Sequence, residues 1–144
     1  QPRVVWVEPH ASYDGIAVRW GAGHKADSVE TCAEMCRTHR MDSAQALPCN
    51  VFVWCPMEAT RGCFEPDAHE HLAGDCWLKF SEIPEAVEVN QRGRNDEEGF
   101  RNANGLGYRE RHGLAPEVTD WWSGVLLPEG WTPTLGTLGP RAKW

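Results

Sequence analysis

Two long parts of this chain, residues 1–26 and 81–144, contain no cysteine. Whatever order they have must come from packing or from a partner. No run approaches the ~20 consecutive apolar residues that cross a bilayer, so no direct membrane span is expected. The start lacks the basic-then-apolar pattern of a signal peptide. Residue 1 is Gln rather than Met, which leads to the expectation of a processed product. No Asn-x-Ser/Thr sequon occurs, so N-glycosylation is not inferred. Basic residues are few: 14 Lys and Arg stand against 21 Asp and Glu, giving a formal charge of −7. The acidic residues are scattered, and without a basic face no nucleic-acid partner is expected. No serine sits in a Gly-x-Ser-x-Gly elbow. Asn104-Gly-Leu-Gly107 lacks the Gly-Lys-Ser/Thr end of a phosphate loop. There are no internal repeats and no low-complexity tract.

What is present is concentrated. All six cysteines fall between 27 and 80, at positions 32, 36, 49, 55, 63 and 76. An even number in one segment argues for disulfides and an oxidising compartment, extracellular or an organelle lumen. The spacing Cys-x3-Cys, x12, Cys, x5, Cys lacks the paired Cys-x2-Cys knuckles of zinc sites. Six cysteines allow 15 complete pairings, so spacing alone leaves the connectivity open.

The periodicities of this block are readable. Asp27-Ser28-Val29-Glu30 is a capping-box-like helix start, with Asp27 as the N-cap and Glu30 three residues on. Val29, Cys32, Ala33 and Cys36 then fall on one helical face. Residues 49–55 are short, β-branched and aromatic, and read as a strand. Alternation places Cys49, Val51, Val53 and Cys55 on one side, with Phe52 and Trp54 on the other. Residues 76–80 form a second strand, with Cys76, Leu78 and Phe80 sharing a face. Residues 3–7 and 16–20 read as two earlier strands, and residues 86–89 as a possible short one. Pro56, Gly62, Pro66 and Gly74 make 56–75 a long loop. The fold class expected is α+β: a small, mostly antiparallel sheet packed on one helix, disulfide-stapled, with a loop-rich C-terminal extension. The expected division is a module over 1–80 and an irregular, Trp-containing extension over 81–144.

Cys32 and Cys36 on a helix, then Cys49, Phe52 and Trp54 on a strand, then Cys76, Leu78 and Lys79, resemble the PAN/Apple domain family. The likeness covers roughly residues 10–80. It implies the pairs Cys36–Cys49 and Cys32–Cys76, which leaves Cys55 and Cys63 to be paired as an additional staple. It also implies a non-enzymatic role in protein–protein or protein–carbohydrate contact. The segment after Phe80 lies outside the family pattern.

Catalytic and metal candidates are weighed against plainer readings. His69-Glu70-His71, with Asp67 and Asp75 nearby, has suitable ligand types. The two histidines lie two apart in a loop bounded by Pro and Gly, and a solvated polar loop is the favoured reading. A Cys–His enzyme would need a free cysteine, Cys63 with His69 or His71 being the least poor version. The adjacent Glu97 and Glu98 read as solvated. No catalytic residue, metal or cofactor is therefore expected, and an enzyme ranks below a binding protein.

Eight tryptophans in 144 residues is a large share. Trp54, Trp77 and Trp20 are assigned to the strands and their core. Trp121, Trp122, Trp131 and Trp144 lie in the cysteine-free extension, where they either fold back on the module or anchor a partner. The second choice makes Trp121, Trp122 and Trp131 anchors, with Tyr108, Arg109 and Arg111 at the rim. Two functions follow. One is a binding or adhesion module whose partner is a protein or a glycan. The other is an accessory structural subunit of a large extracytoplasmic or lumenal assembly, such as a photosynthetic complex or surface fibre, held by 81–144. A concave tryptophan-lined groove open to solvent would select a carbohydrate binder.

Overall fold

A computed structural model describes residues 2–41, 47–95 and 101–144. The expected acidic pair Glu97 and Glu98 lies outside the described residues. In chain order the elements are β1 (Arg3–Pro9), β2 (Ala11–Tyr13), β3 (Ile16–Arg19), α1 (Val29–Arg37), β4 (Val51–Trp54) and β5 (Cys76–Phe80). Then follow β6 (Glu88–Arg92), the short helix α2 (Tyr108–Arg111), β7 (Trp122–Pro128) and β8 (Thr137–Leu138). Single 3-10 turns cover Pro84–Ala86 and Pro140–Lys143.

The helix forms where its pattern places it. Val29, Cys32, Ala33 and Cys36 are its buried residues. Its N-cap is Ser28 rather than Asp27, because the Ser28 hydroxyl is the one that accepts from the Thr31 amide, at 3.1 Å. Asp27 instead accepts from the Thr31 hydroxyl at 3.3 Å. A cap of this kind contributes about 1 kcal/mol.

Strands β1, β7, β4, β5 and β3 form one antiparallel sheet in that order, and β2, β6 and β8 form a second. The first sheet has two buried faces. One carries Phe52, Trp54, Cys76, Leu78 and Leu126 against α1, in a cluster with Val29, Cys32 and Cys36. The other carries Val51, Val53, Trp77, Val125 and Leu127 against Ala11, Tyr13, Val87 and Val89 of the second sheet. Helix, sheet and sheet therefore stack in three layers. The chain passes between the sheets at His10, whose φ of 57° is left-handed. Ser123 ties the layers together: its hydroxyl donates to the Ala11 carbonyl at 2.8 Å and accepts from the Tyr13 amide at 3.1 Å.

The disulfides are Cys32–Cys76, Cys36–Cys49 and Cys55–Cys63, the set that the sequence resemblance leads to. Cys49 does not share a face with Val51. It precedes the strand, which begins at Val51, so strand alternation does not govern it, and it packs in the helix-side cluster.

The boundary expected between 80 and 81 runs through the middle of a sheet. β7, from the cysteine-free part, lies between β1 and β4, pairing Val125 with both Trp6 and Val51. Gly124 makes that insertion possible: a Cβ there would lie 2.2 Å from the Phe52 ring and 2.6 Å from the Trp6 carbonyl oxygen. The sequence signal for β7 was an apolar run beside two tryptophans. Nothing local to it says which strands it joins.

Candidate functional site

The site is built on the second face of the five-stranded sheet, where Val53, Trp77 and Lys79 point away from the helix. Around them stand Gly15 and Ala17 at β3, Trp20 just beyond it, and Trp121 just before β7. The 56–75 loop supplies Glu65, Asp67, His69 and His71, and the C-terminal 3-10 turn supplies Arg141. Together they enclose a cavity of about 200 Å3 that opens to solvent.

Local chemistry explains how the loop reaches this place. The Cys55–Cys63 bond draws its first limb back on the sheet. Gly62 takes a φ of 85°, and a Cβ there would lie 2.1 Å from the His71 carbonyl oxygen. That close approach lets the Cys63 amide bond to the His71 carbonyl at 3.0 Å. The two limbs are thereby joined, and His71 is turned inward. Asp67 then organises the tip: its Oδ1 accepts from the His69 amide at 3.0 Å and lies 2.9 Å from His71 Nε2. The Phe64 carbonyl is held by two donors, Trp121 Nε1 at 2.8 Å and Gln91 Nε2 at 2.7 Å.

The floor of the cavity is ionic and buried. Glu65 and Lys79 are 8% and 6% exposed. One oxygen of Glu65 accepts from the Ser12 hydroxyl. Lys79 Nζ donates to the Tyr13 carbonyl at 3.0 Å. Burial pushes the Glu65 carboxyl above its ordinary range, opposed by Lys79, Ser12 and Arg141. Burial pushes the Lys79 ammonium down, opposed chiefly by Glu65 and Asp14. Each group thus makes the other's charge tolerable. Arg141 lies across the mouth, 3.4 Å from Asp14 Oδ1, 3.5 Å from Asp67 Oδ2 and 3.8 Å from Glu65 Oε2.

The walls are aromatic. Trp20, though 56% exposed, leans on Trp77 with ring centres 5.7 Å apart. His69 meets Trp20 edge-on at 4.7 Å. His71 lies between Trp77 and Trp121, at 5.5 and 5.3 Å. Three buried polar atoms of this lining, Glu65 Oε2, His71 Nδ1 and Trp77 Nε1, have no hydrogen-bond partner among the described residues.

The structure redistributes the residues singled out from sequence. Trp121, expected as a partner anchor, is 1% exposed and lies in the core cluster. Trp122 is half-buried against the helix-side cluster, edge-on to Trp54. Trp131 is exposed. Tyr108 is fully buried with Ala115 and Ala142. Arg109 donates to the Ala115 carbonyl at 3.0 Å, and Arg111 donates to the carbonyls of Leu106 and Ala142, each at 2.6 Å. Trp121, Trp122 and Tyr108, whose ring lies 6.3 Å from Phe64, pack this segment against the module, the other of the two expectations for it, while the Arg109 and Arg111 bonds lie within the segment. His71 is also not part of a solvated loop, because the Gly62 approach turns it inward. Among the described residues, no group of three or more His, Cys, Asp or Glu is placed to hold a metal ion.

Sequence reasoning missed Glu65 and Arg141. Lys79 was noted only as part of a motif. A lysine within an apolar strand was the available signal: its burial demanded a carboxylate, and Glu65 is one of the carboxylates nearby in the chain. No family model matches the chain, and neither does any curated protein or solved structure. What stands is a small α+β fold with three disulfides, which points to an oxidising environment. No helix among the described residues is long and apolar enough to cross a membrane.

Proposed function

We propose that this protein is a non-enzymatic binding module of an extracellular or lumenal setting, and that its cavity takes one sugar unit of a glycan. The observation that carries this reading is the aromatic-walled, polar-floored cavity formed by Trp20, Trp77, Glu65, His71 and Lys79. A sugar ring has an apolar face for the indoles and hydroxyls for the floor. At about 200 Å3 the space is below the roughly 300–1,000 Å3 of sites for drug-sized ligands, which suits a single ring. The likeness of Cys32, Cys36, Cys49, Phe52, Trp54, Cys76, Leu78 and Lys79 to PAN/Apple domains supports the same role. Binding is favoured over catalysis because Lys79, Asp67 and Arg141 are each already engaged by the chain itself.

Trp20 is the residue to test, since its exposure separates binding from stability. Glycan binding should be detectable by titration calorimetry, and Trp20→Ala should weaken it about tenfold or more while leaving the melting temperature within a few degrees. Binding that is unchanged by this substitution would place the ligand elsewhere.

A second reading, a subunit of a larger assembly, rests on β1. This edge strand leaves Val4, Val5, Trp6 and Val7 half-exposed in succession, as a strand awaiting a neighbour does. Co-purification of a stoichiometric protein partner lost on Trp6→Lys would favour it.

A further inference from the structure

We infer that the ligand unit is an uncharged pyranose, held by two of its hydroxyls donating to Glu65 Oε2 and His71 Nδ1; this rests on the glycan reading above. The starting point is the three buried polar atoms left without hydrogen bonds in the cavity lining, Glu65 Oε2, His71 Nδ1 and the donor Trp77 Nε1. Glu65 and His71 are 8% and 7% exposed. A buried polar atom without a partner is unfavourable, so such atoms usually mark a place where a ligand group bonds.

The bonding sense of each atom follows from its other contact. His71 Nε2 faces Asp67 Oδ1 at 2.9 Å. A carboxylate only accepts, so Nε2 carries a ring proton, and in the singly protonated ring Nδ1 is an acceptor. Glu65 takes the Ser12 proton at one oxygen, and its ionised Oε2 is an acceptor too, with Arg141 3.8 Å away. The ligand must therefore offer at least two donors, and a lone pair for the Trp77 indole N–H. A carboxylate, sulfate or phosphate offers none.

Charge removes the other simple donor. An ammonium would enter beside Lys79 and Arg141, both on the lining. Cationic side chains there already answer Glu65, Asp67 and Asp14, so a further positive charge gains little and a further negative one meets three carboxylates. A hydroxyl donates without carrying charge and keeps lone pairs to accept from Lys79 Nζ, which spends only one proton on the Tyr13 carbonyl. The tryptophan walls then require that the hydroxyls be carried on a body with an apolar face. A ring polyol meets all of these conditions.

The test uses the full chain and calorimetric titration. The probes are a panel of neutral methyl pyranosides, the single-deoxy analogues of the tightest one, a uronic acid and an amino sugar. The expected result is that a neutral pyranoside binds, that the two charged sugars bind about tenfold or more weakly, and that deoxygenation at two positions weakens binding about tenfold each. His71→Phe keeps an aromatic ring between Trp77 and Trp121 and should abolish the deoxy effect at one of those two positions only. Charged sugars binding as tightly as neutral ones, or deoxygenation without effect at every position, would overturn this inference and leave glycan binding standing. Failure of every saccharide on the panel to bind would remove both.

Discussion

Removing one member of the Glu65–Lys79 pair should be far more damaging than removing both. Each residue is more than nine-tenths buried. The two are coupled through space rather than as a contact ion pair, with Lys79 bonded to the Tyr13 carbonyl and Arg141 3.8 Å from Glu65 Oε2, and deleting one leaves the other buried charge less compensated, at about 1–3 kcal/mol. Glu65→Gln keeps the shape and an acceptor for Ser12 but strands the Lys79 ammonium. Lys79→Met keeps the length of the side chain but strands the Glu65 carboxyl. Simple addition of the two losses would give about 2–6 kcal/mol, a large share of the stability of many small domains. The double variant instead replaces the pair by uncharged groups of similar volume and should unfold within about 2 kcal/mol of the parent.

The two single variants should also depend on pH in opposite senses. Burial already raises Glu65, and Lys79 is the largest influence holding it down. In Lys79→Met that influence is gone and the carboxyl rises further. The folded state then favours the protonated form, so this variant is most stable below about pH 4.3 and loses stability as pH climbs through the raised value. Lys79 is lowered by burial, with Glu65 the largest opposing influence. In Glu65→Gln the ammonium falls further. That variant is most stable above about pH 10.4 and loses stability as pH drops through the lowered value. Each unit of altered proton affinity corresponds to about 1.4 kcal/mol. Urea unfolding followed by tryptophan fluorescence, from pH 4.5 to 9.5, measures all four proteins. Additive losses, or parallel pH profiles for the two single variants, would refute the coupling.

Two further outcomes follow from the architecture. Replacing Cys32 and Cys76 by serine should destabilise more than replacing Cys55 and Cys63, since the sequence separations are 44 and 8. On chain entropy alone the difference is about 1.5 kcal/mol, and thermal melts that rank the pairs the other way would show that loop 56–75 carries more of the fold than its length suggests. Trp121→Ala should lower stability by about 3–5 kcal/mol, as for other buried aromatics. A chain ending near Glu82 lacks β7 altogether and should show no cooperative unfolding transition. A cooperative melt from that truncated chain would mean that β1 and β4 can close the sheet without it.

The helix and the strands at 51–54 and 76–80 were legible because each declares itself within a few residues. A period near four marks Val29, Cys32, Ala33 and Cys36, and all four are buried. Alternation marks Val51 and Val53 against Phe52 and Trp54, and the two sets fall in different clusters. The central place of β7 was not legible, because strand order depends on pairings between residues more than 70 apart, such as Val51 with Val125. The candidate site was hidden for the same reason. Ser12 and Glu65 are 53 residues apart, and Arg141 reaches Asp14 across 127. No pattern of spacing along the chain encodes such a meeting. His71 misled in the other direction: flanked by Glu70 and near Asp67 it looks solvated, and only the Gly62 contact turns it inward.

These distances in sequence say something about what holds the site. Its four ionic residues other than His71 come from separate segments: Glu65 and Asp67 from the loop, Lys79 from β5 and Arg141 from the C-terminal turn. The loop is anchored to the sheet by the Cys55–Cys63 bond and by the Cys63–His71 backbone contact. The C-terminal turn has no covalent anchor. It is seated by Ala142, fully buried beside Tyr108, and by the Arg111 bond to the Ala142 carbonyl at 2.6 Å. Tyr108 and Arg111, read from sequence as groups for a partner, therefore act on the chain's own end. That end carries Arg141, which lies 3.8 Å from Glu65 Oε2 and 3.5 Å from Asp67 Oδ2 at the cavity mouth.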